Sequence, residues 1–90
     1  GTVTFYQNQK KIGNIDIFIE GSFAGTLTQY FTEPNFVPEC GNATKASLTL
    51  RLPVGSYNFT AKSQTNNKYQ WSGRITITEN GCLPFRLYIK

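Results

Sequence analysis

An all-β domain, with about seven strands in two antiparallel sheets stacked as a sandwich, is the fold this sequence predicts. Three observations carry it. Apolar residues recur at every second position in run after run, turn signals containing Gly, Pro and Asn separate the runs, and the spacing of an amphipathic helix never persists. The chain has 90 residues, 39% hydrophobic and 14% aromatic, with only 16% charged. That is one domain, residues 1–90, apolar enough to fold and too small for a second core.

The elements follow in order. In "TVTFY", residues 2–6, Val3 and Phe5 share a face. In "NIDIFIEGSFAGTLTQY", residues 14–30, Ile15, Ile17 and Ile19 share a face, Glu20-Gly21-Ser22 is a glycine-assisted turn, and Phe23 and Leu27 return as the second arm of a hairpin. Gly25, inside that arm, marks a bulge or a close backbone approach. Leu48, Leu50 and Leu52 align in "ASLTLRL". Pro53-Val54-Gly55 then reverses the chain into "SYNFTA", where Tyr57, Phe59 and Ala61 face the core.

"SQTNNK", residues 63–68, is a polar turn before "YQWSGRITIT", which aligns Tyr69, Trp71, Ile75 and Ile77. "ENG", residues 79–81, signals a hairpin into "CLPFRLYIK", with Phe85, Leu87 and Ile89 in register. The largest irregular piece, "FTEPNFVPECGNATK" over 31–45, is too long for a tight hairpin and reads as a crossover between sheets.

Cys40 and Cys82 sit beside glycines in mirror order, "CG" and "GC". Pairing them closes a long loop, worth roughly 4 kcal/mol in the chain-entropy description, and requires an oxidising compartment. The competing expectation is a pair of buried free thiols in the cytosol. Gly1 in place of an initiator Met reads as a trimmed or mature start, and no apolar run reaches the roughly 18 residues of a membrane span. The sequence therefore predicts a secreted, periplasmic or cell-surface domain.

The chemistry is bounded chiefly by what is missing. There is no histidine, which removes the commonest general base, the usual partner of a Ser or Cys nucleophile, and the commonest zinc ligand. The acids are Asp16, Glu20, Glu33, Glu39 and Glu79. Asp16 and Glu20 share one strand parity, but four residues of strand separate them by about 13 Å, outside either glycosidase geometry. A small hydrolase using such carboxylates is the alternative function, and calcium on Glu33 and Glu39 lacks any Asp-rich ligand spacing. No cofactor is expected. Two sequons, at Asn42 and Asn58, would matter only in a eukaryotic secretory route.

The net charge of +4 suits a soluble domain, and the nine Lys and Arg are scattered rather than blocked. Nucleic acid is not the expected partner. Aromatic residues remain. By parity Phe5, Phe23, Tyr57, Phe59, Tyr69, Trp71 and Phe85 face the core, while Tyr6, Phe18, Tyr30 and Tyr88 fall on the opposite faces and Phe31 and Phe36 lie in the long loop. Those six, Phe18 foremost, are the candidate contact surface for a protein or glycan partner, unless the long loop folds over Phe18. Trp71 could serve as a sugar platform, but its parity with Ile75 and Ile77 favours the core.

"IDIFIEGSFAGTLT", "LRLPVGSYNFTA" and "WSGRITIT" together resemble the PEGA-type domains and related transthyretin-like or carboxypeptidase-regulatory-like modules of secreted and surface bacterial proteins. The shared frame is Glu20-Gly21, Gly25, Leu52-x-x-Gly55-x-Tyr57, and Trp71 before Ile75 and Ile77. It covers about residues 14–78; the 31–45 stretch and the cysteines are additions to it. The resemblance implies a Greek-key or transthyretin-like sandwich, no catalysis, and an accessory or spacer role in a larger exported assembly, as a monomer or weak oligomer.

Overall fold

The computed structural model describes residues 1–9, 12–28, 30, 47–65 and 68–87. Seven strands run through them: β1 (Thr2–Tyr6), β2 (Ile15–Ile19), β3 (Ser22–Leu27), β4 (Ser47–Arg51), β5 (Gly55–Ser63), β6 (Gln70–Ile77) and β7 (Cys82–Arg86). They form a three-stranded sheet, β4-β1-β7, and a four-stranded sheet, β3-β2-β5-β6. The predicted all-β, two-sheet architecture holds.

Alternation builds the core. Val3 and Phe5 from β1, Ile15, Ile17 and Ile19 from β2, Phe59 and Ala61 from β5, and Ile75 and Ile77 from β6 are all buried. Phe5, Phe59 and Phe85 then join the sheets: their ring centroids lie 5.6, 5.8 and 5.0 Å apart in tilted and edge-to-face contacts. Such pairs add about 0.5–1.5 kcal/mol each beyond the area they bury. Gly73, paired with Phe59 in register, leaves room for that ring, since a Cβ there would stand 3.1 Å from Phe59 Cε1.

The connections depart from expectation in two ways. Glu79-Asn80-Gly81, expected as a hairpin, carries the chain from one sheet to the other, β6 to β7, as the Pro53-Val54-Gly55 reversal does from β4 to β5. Local turn chemistry specifies a reversal, and says nothing about whether the next strand pairs with the last. At the β6–β7 turn Asn80 takes φ 55°, and the N–H of Gly81 donates to the carbonyl of Thr78 at 3.1 Å. Thr2 N–H then donates to the Gly81 carbonyl, so β7 starts beside the start of β1 and the two pair in parallel. One pairing in the sandwich is thus not antiparallel. Pro84 fits in β7 because that strand is a sheet edge.

The true hairpins are β2–β3 and β5–β6. Glu20 (φ 50°) and Gly21 (φ 82°) form the two-residue loop of the first, the positive-φ pair that matches strand twist. Glu20 accepts that conformation while its carboxylate takes the Asn58 N–H at 2.6 Å and its own N–H donates to the Asn58 carbonyl at 2.9 Å.

Gly25 marks both features expected of it. A Cβ there would lie 2.8 Å from Leu48 Cδ1, a close approach between sheets, and beside it the β2–β3 register jumps from Ile17↔Gly25 to Phe18↔Phe23. Ala24 is the extra residue of the bulge, and it reverses the facing of everything before it. Phe23, expected inside, is therefore outside. Tyr6, expected on a wet face, is buried along with Thr4, whose hydroxyl shares a hydrogen bond of 3.0 Å with that of Thr49.

Ile12 and Ser63 also join the buried set, Ser63 Oγ donating to the Ile12 carbonyl. Ser63 continues the inward parity of Phe59 and Ala61 at the end of β5, whereas Ile12 lies outside any alternating run. Cys82 is exposed at the start of β7, and Cys40 lies outside the described residues, so the fold does not establish the expected disulfide.

Two stability changes follow. Phe59→Ala should cost about 3–5 kcal/mol in denaturant unfolding, since it removes the ring that bridges the sheets; a cost below about 1 kcal/mol would contradict this packing. Gly25→Val should cost about 1–3 kcal/mol, and combining it with Leu48→Ala should cost less than the sum of the two single changes. Strict additivity would mean that the two positions do not touch.

Candidate contact face

The outward side of the four-stranded sheet is set by the same alternation that fills its inner side. Ser56, Asn58, Thr60 and Lys62 on β5, and Gln70, Ser72, Arg74 and Thr76 on β6, are all exposed. On β2 the outward positions are Asp16 and Phe18, both half-buried. On β3 they are Thr26 and, through the bulge, Phe23, which is 61% exposed. The polar half of the "SYNFTAK" alternation is thus part of a continuous face.

Strand register orders this face into rows. One row crosses all four strands, Phe23, Phe18, Thr60 and Ser72, each paired with the next. At about 4.8 Å between strands the row is roughly 14 Å long. Phe18 and Phe23 meet edge to face with centroids 5.8 Å apart, leaving Phe23 largely open to solvent. The adjacent row is Thr26, Asp16, Lys62 and Gln70. A hollow of about 290 Å³ lies where the two rows cross β5 and β6, lined by Thr60, Ala61, Lys62, Gln70, Trp71 and Ser72.

Electrostatically the face is balanced. Lys62 and Arg74 are its cations; Asp16 and, at the hairpin end, Glu20 are its anions. Asp16 Oδ1 accepts from Thr26 Oγ1 at 2.7 Å and from Gln64 Nε2 at 2.8 Å, and the Glu20 carboxylate is held by the Asn58 amide. Both acids are thus engaged within the chain.

The other candidates scatter. Tyr6 is buried, Tyr30 is half-buried, and Phe31, Phe36 and Tyr88 lie outside the described residues, as do Glu33, Glu39, Asn42 and Cys40. Trp71 is half-buried and packs against the core cluster, in keeping with its parity. Phe23 is the outward aromatic that period-two alternation places on the wrong side. The bulge expected at Gly25 was the signal that its parity had to be inverted.

Among the described residues no group of three His, Cys, Asp or Glu could hold a metal ion, and no helix is long and apolar enough to cross a membrane. A larger open hollow of about 680 Å³ lies at one end of the sandwich, lined by residues that include Gly1, Arg51, Leu52, Asn80 and Cys82, with no carboxylate among them. The Gly1 ammonium there donates to the Leu52 carbonyl at 3.0 Å. Comparisons with protein-family models, curated proteins and solved structures returned no match.

Because Phe23 is 61% exposed and its ring meets Phe18 on the outer side, Phe23→Ser should change unfolding free energy by about 1 kcal/mol or less. A loss of about 3 kcal/mol or more in the same measurement would place the ring in the core.

Proposed function

We propose that the chain is a non-catalytic, extracytoplasmic β-sandwich module that binds its partner through the outer face of the four-stranded sheet. The exposed Phe23–Phe18 pair, set in an otherwise polar surface, is the observation that carries this reading. A soluble domain gains nothing for its own stability by leaving a large aromatic 61% exposed when the bulge that exposes it could be absent.

Several features support the rest. The chain lacks histidine, and the two carboxylates of the face are each occupied by in-chain donors. The resemblance of the β2–β6 region to PEGA-like modules implies an accessory role in a larger exported assembly. A Cys40–Cys82 bridge would suit export. Such a bridge would tie the 31–45 stretch to the first residue of β7.

Two measurements test the reading. Unreduced material treated with an alkylating reagent under denaturing conditions should take up no label by mass spectrometry, and two labels after reduction. Two labels without reduction would argue against an oxidising compartment. Glycoside and ester substrates should show no turnover; turnover removed by substituting any of the five acids would make the chain a hydrolase instead.

A further inference from the structure

Resting on that contact face, we infer that its ligand is an uncharged polysaccharide, lying across the strands along the Phe23, Phe18, Thr60, Ser72 row. Three observations single out this class. The first is charge. The chain carries +4, yet the face sets Lys62 and Arg74 against Asp16 and Glu20, so the excess positive charge lies elsewhere and nothing on the face steers a polyanion to it.

The second is the polar inventory. Thr60, Ser72 and Asn58 are exposed, and they offer hydroxyl and amide groups that both donate and accept, which suits the hydroxyls of a sugar chain. Protein-binding surfaces are built differently: they are depleted in Ser and Lys and carry an apolar centre, whereas here one aromatic pair sits at the β3 edge of a hydroxyl-rich strip.

The third is shape. Rows of outward side chains on a sheet make a flat strip, here about 14 Å long, more than a single sugar ring. Phe23 offers a ring to the apolar face of one sugar at one end, and the hollow beside Thr60 and Ser72 receives the chain at the other. A single-stranded nucleic acid would instead require successive aromatics and a track of unopposed cations, and the face has neither.

Affinity electrophoresis through gels containing soluble glucan, mannan, xylan or galactan, with polygalacturonate and oligothymidylate as charged comparisons, tests this. At least one neutral polysaccharide should retard the protein. Phe23→Ala should weaken that retardation about tenfold and Ser72→Val about threefold, with thermal midpoints close to that of the parent. Raising salt from 50 to 500 mM should leave it nearly unchanged, at roughly less than twofold.

No retardation by any neutral polysaccharide overturns the inference. Stronger binding to polygalacturonate or oligothymidylate that Phe23→Ala still weakens overturns the ligand class and keeps the contact face. Binding to a neutral polysaccharide that neither substitution affects overturns the contact face itself.

Discussion

Three phenyl rings hold this domain together. Phe5 and Phe85 project from neighbouring, parallel strands of one sheet and close on Phe59 from the middle of the other. Burying such rings supplies much of what a 90-residue chain can gather against its conformational entropy. The contact also decides which side of each sheet is inside. Once Phe59 faces inward, strand alternation sends Asn58, Thr60 and Lys62 outward, and register passes that assignment to β2 and β6.

One residue interrupts the transmission. Ala24 is inserted against β2 without a partner, and beyond it the side chains of β3 change sides. A Phe that simple alternation would bury instead stands on the outer face against Phe18. Gly25, next to it, lets β3 approach Leu48 of the opposite sheet. The bulge therefore joins two tasks: it closes one corner of the sandwich, and it exposes the aromatic on which the proposed binding rests.

Much of this was legible in the chain. Every described strand coincides with an alternating run, and the buried apolar positions of β2, β5 and β6 are those that alternation selects, whereas in β1 Tyr6 is buried as well as Val3 and Phe5. Alternation and turn residues are local, and they succeed where the structure is local. They fail where a choice depends on distant partners. "LPVG" and "ENG" specify sharp turns, but the partner of the following strand is chosen by the core, so both became crossings between sheets. Tyr6 and Ile12 are buried although no local pattern selects them, and the Ile12 carbonyl accepts a hydrogen bond from Ser63 Oγ, 51 positions away.

The contact face was half legible. Phe18 stood out as an apolar residue on a wet parity, and the wet side of "SYNFTAK" was identified, but Phe23 was assigned inward because period-two counting ran straight through Gly25. Solvent access to the aromatic rings measures this arrangement most directly. In an NMR experiment with a soluble nitroxide, the ring protons of Phe23 should broaden strongly while those of Phe5 and Phe59 stay sharp. A sharp Phe23 with cross-relaxation to Ile17 and Leu27 would show that the bulge does not turn the strand, and with it the proposed face would lose its aromatic anchor.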